Sequence, residues 1–260
     1  MRNPRIAFIA TDTGAVRARN EDRCFAGDWV GDGGDGAWVV PLGSDRWSAA
    51  VADGMGGHQA GALASEVAIA ELRPLIATLD SEMAVSAAVA QMNDRVFREM
   101  HSPHGRPGMG CTIVGISVRG AEAILFNVGD SRAYLVRDGV LLQRSLDHTA
   151  GGPASSHGRS HLLTQSLGGT LRRVSLTPHV DRLKVGEKDL VLICSDGLTD
   201  MLTEGEIASV LHHNPGDPAS ALVDAAVEAG GRDNVTVIVI GLANPGVDTR
   251  SGGAGVYPSL

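Results

Sequence analysis

The sequence predicts an α+β fold in which antiparallel sheets are flanked by helices, and three observations carry that prediction. Two helical patterns are followed by a run of strands, then by two more helices and a closing strand, unlike the regular alternation of a parallel β-α-β sheet. Hydrophobic residues make up 43% of the 260 residues but aromatic ones only 3%, so Val, Ile, Leu and Ala must build a substantial core. Asp-Gly pairs stand at the ends of several apolar runs, where turns are expected.

Taken in order, residues 5–10 are short and apolar and read as the first strand. A glycine-rich loop, 27–36, separates the extended segment 22–26 from the next extended run and is expected to lengthen a surface hairpin. Residues 46–52 alternate toward an apolar end and stop at Asp53-Gly54. The first helix, 60–79, places Leu63, Val67, Ala70, Leu72 and Ile76 close to a 3.6-residue period, and Pro74 inside it predicts a kink or an early end. The second, 82–100, carries Val85, Val89, Met92, Val96 and Met100 on one stripe, with Ser81 as its cap. Strands follow at 111–118, 122–128, 133–137 and 140–143, the last two flanking Asp138-Gly139, a pair that favours a two-residue hairpin. Residues 149–169 turn polar and read as an irregular loop. A buried strand at 190–194 ends at Asp196-Gly197, helices are expected at 204–212 and 218–229, and 235–241 forms the last strand. The Gly/Ser/Pro-rich tail, 244–260, is expected to be disordered and to lie outside a domain spanning 1–243.

The formal net charge of −8 argues against a nucleic-acid binder, which needs a basic surface. The three cysteines, Cys24, Cys111 and Cys194, form no CxxC pair and read as small buried hydrophobes rather than disulfide or zinc partners. A reducing cytoplasm is therefore expected. The only apolar run near the start, 6–10, is too short for a signal peptide, and no stretch reaches the roughly 18–20 apolar residues that span a bilayer.

Carboxylates recur at strand edges. Glu21-Asp22 precedes one strand, Asp53-Gly54 and Asp196-Gly197 follow others, Asp130 follows Val128-Gly129, and Asp233-Asn234 precedes the last. A strand end fixes such a side chain rigidly, and glycine leaves its carbonyl open to an ion. Hard cations such as Mg2+ and Mn2+ take oxygen ligands of this kind. Each Asp-Gly taken singly is also an ordinary turn, and spacing alone does not choose between the two readings.

The residues around these sites resemble a known family, the metal-dependent protein phosphatases of type 2C, in their short bacterial form. The matching blocks run in order: 14–22 with Arg17, Asn20, Glu21 and Asp22; 51–61 with Asp53, Gly54, Gly57, His58 and Gly61; 110–112; 127–134 with Gly129, Asp130, Ser131 and Arg132; 147–149; 163–168; 194–200 with Ser195, Asp196, Gly197 and Asp200; and 232–236 with Asp233 and Asn234. The resemblance implies a four-layer α-β-β-α sandwich of two mainly antiparallel sheets, with cations at one end between them. It implies that Asp53 bridges two metals, that Asp196 and Asp233 complete one, and that Glu21 and the Gly54 carbonyl serve the other with Asp22 close by. Asp130, helped by Asp196, would hold a third, weaker ion. Arg17 would grip the substrate phosphate through its planar fork of donors, where the plainer reading is a surface salt bridge. The implied reaction is hydrolysis of phosphoserine and phosphothreonine by a metal-bridging hydroxide, with Mn2+ or Mg2+ as cofactor, two tightly bound. Implied partners are phosphorylated proteins, Ser/Thr kinases and their substrates, met by a monomer with no nucleic-acid or membrane role.

Two features depart from the family pattern. Some members carry a histidine two residues after the bridging aspartate, proposed as general acid, where this chain has Met55. The flap between His148 and Leu162 is much shorter here, which leaves substrate preference and the third metal site open. His58 reads as a packing or loop-anchoring residue, and His157 and His161 as exposed loop histidines. Ser195 and Cys194 have no base evident in the sequence and are not expected to act as nucleophiles. The alternatives are a pseudo-phosphatase or phospho-binding module, and a small-molecule phosphatase.

Overall fold

The structure is a computed structural model and describes residues 3–56, 59–150 and 162–242. The first five strands are β1 (Arg5–Asp12), β2 (Arg23–Ala26), β3 (Trp29–Val30), β4 (Gly36–Leu42) and β5 (Arg46–Ala52). The short β6 (Gly54–Met55) leads into α1 (Gln59–Ile76) and α2 (Glu82–Met100). Strands β7 (Gly110–Cys111), β8 (Ile113–Arg119), β9 (Glu122–Val128), β10 (Arg132–Arg137) and β11 (Val140–Gln143) follow. Then come β12 (Leu167–Gly168), β13 (His179–Lys184), β14 (Leu190–Cys194), α3 (Asp196–Thr199), α4 (Glu204–His213), α5 (Pro218–Glu228) and β15 (Val235–Leu242).

Two six-stranded antiparallel sheets result, ordered β11-β10-β14-β15-β1-β4 and β13-β9-β8-β5-β2-β3, with a small third sheet β12-β7-β6 beside them. The two-residue period of the strands assigns their faces. On β5, Ala49 and Val51 face the opposite sheet, while Ala50 and Ala52 face α1 and α2. On β1, Ala7 and Ile9 enter the space between the sheets, and Ile6, Phe8 and Ala10 pack toward α4 and α5. Three apolar cores therefore separate four layers, the expected α-β-β-α sandwich. Alanines at the inner positions let the backbones of the two sheets approach closely. Trp29 and Trp38, with ring centroids 4.9 Å apart, close one edge.

Local chemistry accounts for many of the ends. Ser81 accepts the Ala84 N–H at 3.2 Å and starts α2 as expected. Thr203 and Glu206 form a reciprocal capping box on α4. Helix α1 ends two residues after Pro74, earlier than residue 79, because proline withdraws a helical donor. Asp138 and Gly139 both take positive φ, 52° and 78°, as a hairpin of this type requires.

Four features depart from the sequence reading. The segment 27–36 contains β3, and β4 then crosses to the other sheet. The polar edge strand β13 and the two-residue β12 were not expected. The run 111–118 is broken at Thr112, whose backbone leaves the ladder to bond Asp53. Asp196-Gly197 opens the helix α3 rather than a turn. The tail 244–260, the flap residues 151–161 and His58 lie outside the described residues. Among the described residues no helix is long and apolar enough to cross a membrane.

One buried ion pair braces the fold near the cleft described below. Arg132 meets Asp147 through Nε–Oδ1 at 3.0 Å and Nη2–Oδ2 at 2.5 Å, with side chains 8% and 13% exposed. Removing one partner leaves the other charge buried. Asp147→Ala is expected to lower unfolding free energy by about 3 kcal/mol in urea titrations. A change below about 1 kcal/mol would show that water satisfies Arg132 instead.

Candidate active site

The ends of β5 and β14 and the turn before β15 open on one cleft of about 890 Å³ at one end of the sandwich. Arg17, Glu21, Asp53, Gly54, Asp130, Asp196 and Asp233 all line it. Asp22 does not. It lies behind the cleft, 2% exposed, accepting the Ser195 hydroxyl at 2.8 Å. That hydroxyl in turn accepts the Thr236 N–H at 2.9 Å, so Ser195 is a buried tether, and Cys194 beside it is fully buried.

Asp53 is fixed through its backbone. Its N–H reaches Thr112 Oγ1 at 3.2 Å, and the Thr112 N–H returns to the Asp53 carbonyl at 2.9 Å. The same Thr112 hydroxyl shares a hydrogen bond of 2.6 Å with Ser131, next to Asp130. The break between β7 and β8 thus couples two of the predicted ligand positions.

Glycine is required at positions 54 and 61 by close approach. A methyl group on Gly54 would stand 2.6 Å from the Glu21 carbonyl oxygen. One on Gly61 would overlap Glu21 Oε2 and lie 2.8 Å from the Gly54 carbonyl carbon. The Glu21 carboxylate therefore rests on the first turn of α1. Gly61→Ala improves helix propensity by about 1 kcal/mol yet displaces Glu21. It is expected to leave the fold intact and to raise the Mn2+ concentration giving half-maximal activity about tenfold, read by metal titration; an unchanged titration curve refutes this.

Asn234 slings the loop that carries Arg17 and Glu21. Its Oδ1 accepts the Glu21 N–H at 2.8 Å, and its Nδ2 donates to the carbonyls of Thr13 and Arg19, both at 2.9 Å. Arg17 lies across this loop with Nη2 2.5 Å from Asp233 Oδ2 and a half-exposed side chain.

The electrostatics are those of crowded acids. Burial, followed by the charges of Asp22, Asp196 and Asp233, pushes the Asp53 carboxyl well above the usual range. Burial, then Asp130 and Asp200, does the same to Asp196. Burial raises Asp22 and Asp130 to about 6. Among the described residues no three His, Cys, Asp or Glu side chains are already drawn around a single ion position. Instead Asp53 and Asp196 lie close enough to perturb each other's ionisation. Asp196 Oδ1 and Asp22 Oδ1 are buried and lack hydrogen-bond partners. Hard oxygen donors, mutual repulsion and an orphaned carboxylate oxygen fit divalent cations.

The sequence reading names Asp200 within a matching block but gives it no role. It follows Asp196 by four residues at the end of α3, the spacing that puts two side chains on one helical face, and it lines the cleft. That spacing was visible, but Asp196-Gly197 had been read as a turn. Met55 lines the cleft and packs on Gly169.

This fold and cleft define a class: four-layer α-β-β-α proteins with a carboxylate basin opening between two antiparallel sheets. Residues 31–221 match the family model described as Protein phosphatase 2C. The chain belongs to the protein phosphatase 2C family. It is 31% identical over 256 residues to the serine/threonine phosphatase stp of Listeria monocytogenes, covering 90% of this chain and 94% of that protein. It is 33% identical over 250 residues to the serine/threonine protein phosphatase PstP of Mycobacterium tuberculosis, covering 88% of this chain and 43% of that longer protein. The crystal structure of the PstP catalytic domain in complex with two manganese ions superposes with a TM-score of 0.72 at 31% identity, covering 92% of this chain and all of that one.

Proposed function

We propose that this chain is a metal-dependent phosphatase that removes phosphate from phosphoserine and phosphothreonine in proteins, and that residues 1–243 form its catalytic domain. The observation that carries the proposal is the convergence of six carboxylates and two arginines, Arg17 and Arg232, on a cleft where a buried Asp196 oxygen has no partner. Asp53 would stand between two ions, Asp196 and Asp233 on one side, Glu21 and the Gly54 carbonyl on the other. Asp22 supports them from behind. Asp130, with Asp196 and Asp200 beside it, would hold a third, weaker ion. Mn2+ and Mg2+ both suit these oxygen donors. When bound, such ions neutralise phosphoryl oxygens and bring a water's pKa toward neutrality.

The chain's own residues supply positioning. Arg17 presents its guanidinium at the mouth and must exchange Asp233 for the substrate phosphate. Thr112 and Asn234 hold Asp53 and the Arg17 loop in register. Met55 carries no proton, so this position gives no acid to the leaving alkoxide. The setting that fits is a cytoplasmic monomer that reverses Ser/Thr kinase action on proteins.

A phosphothreonine peptide incubated with Mn2+, with Mg2+ and with EDTA tests the reading. Turnover that needs the cation supports it. Silence with each cation and with several peptides makes the chain a phospho-binding module instead. In the same assay Arg17→Ala is expected to lower kcat/KM about 10–100-fold, mainly through KM, because a charge-assisted contact is worth about 1.5–3 kcal/mol. Arg17→Lys should recover little of it, since a point charge lacks the planar fork. Full activity in Arg17→Ala would reduce Arg17 to a surface partner of Asp233.

A further inference from the structure

A second cavity, of about 560 Å³, lies at the far end of the sandwich. Strand β5 connects the two: Arg46 begins it and Asp53 follows its seventh residue, which separates the sites by about 20 Å. Arg46, Arg73 and Arg119 line this cavity with only one acid, Asp28, in a chain whose net charge is −8.

Two of the three arginines are held by backbone carbonyls, and among the described residues none of the three forms an ion pair with a carboxylate. Arg73 donates to the Asp28 carbonyl at 3.3 Å, and Arg119 donates to the Ala77 carbonyl just past the end of α1. Arg46 and Arg119 are direct cross-strand partners in the β5–β8 ladder. Like charges placed directly opposite in a sheet repel and destabilise it. A bound anion between them turns that repulsion into attraction. Forked guanidiniums bind phosphate, like carboxylate, through paired N–H donors.

Ser48 and Ser117 also line the cavity, and most of the remaining residues are apolar. Trp47, only 6% exposed, and Pro74 are among the lining residues. Pro74 has no N–H to return to the Ala70 carbonyl, and Ala70 lines the same cavity. Size, apolar residues and arginines together match a phosphorylated molecule of nucleotide size.

We propose that this cavity is a binding site for an organic phosphate, with its phosphate among Arg46, Arg73 and Arg119 and its body against Trp47 and Pro74. It is separate from the cleft that holds the catalytic carboxylates.

Adenosine 5′-(methylenediphosphonate), which a phosphomonoesterase cannot cleave, is the probe. Its binding to the manganese-loaded enzyme is measured by calorimetry for wild type, Arg46→Glu and Arg73→Glu. Each substitution is expected to weaken binding at least tenfold. Both arginines are exposed and outside the catalytic cleft, so phosphopeptide turnover should stay unchanged and confirms that the variants are folded. Adenosine and inorganic phosphate, run as separate arms, should each bind at least tenfold more weakly than the probe. Equal probe affinity in wild type and both variants overturns the proposal, as does no binding by wild type at millimolar probe. Inorganic phosphate binding as tightly as the probe overturns the organic part of it.

Discussion

Asp53→Asn is expected to lower kcat on a phosphothreonine peptide at least a thousandfold while leaving the metal-free protein as stable as the parent or more so. Two opposite effects of one carboxylate produce this result. In the proposed reaction Asp53 touches both ions, so its loss removes charge where the phosphoryl group is attacked, an effect worth several kcal/mol of barrier. Without ions the same carboxylate is buried among Asp22, Asp196 and Asp233, and burial with repulsion holds its pKa well up. An amide of the same shape removes that repulsion. Measuring kcat and Tm on the same preparations separates the effects. A variant that loses activity and unfolds together would point to a structural role for Asp53.

Adding Mn2+ to the metal-free protein at pH 8 is expected to raise Tm on the order of 10–20 °C, and to raise it far less at pH 5. The sign follows from the direction of the shifts. Asp22 and Asp130 have an ordinary pKa of 3.8 and reach about 6 in the fold, so the folded state binds their protons more tightly than the unfolded chain. Stability is therefore lost as pH rises from about 4 through about 6, and Asp53 and Asp196 carry the loss to higher pH. Asp189, which Arg137 holds below its usual range, works the other way. It lies outside the cleft and contributes equally with and without cation, so subtracting the two Tm curves removes it. A difference curve that is flat from pH 5 to pH 8 would show that the acids do not share the ions.

The outer helices and most strands were readable because their apolar periods are strong: α2, β9, β11 and β14 fall where the pattern put them. Strand β13 was not readable. It lies at a sheet edge, and its sequence His-Val-Asp-Arg-Leu-Lys buries only Leu183, so no alternation stands out. Strand β4 was given no bounds because Gly36 starts it and Pro41 lies inside it, residues that signal turns unless the strand is an edge. At the site, the acids were identifiable one by one, but their partners were not. The contact of Arg17 with Asp233 spans 216 residues, and that of Ser195 with Asp22 spans 173. No local pattern encodes such separations, because the pairing of β15 with β1 and with β14 brings them together. Asp200 shows the opposite case, a local i,i+4 signal hidden by a wrong turn assignment.

The three hydrogen bonds of Asn234 also set an order in time. Arg17 and Glu21 leave the ribosome early, but the residue that suspends their loop is made more than two hundred positions later, just before the last strand. During synthesis β1 has only β4 beside it, and Arg17 has neither its sling nor Asp233. A partly made or prematurely terminated chain thus holds every proposed ligand position but Asp233 and still cannot assemble the site. Hydrolytic competence arrives in one step, when the final strand closes the sheet.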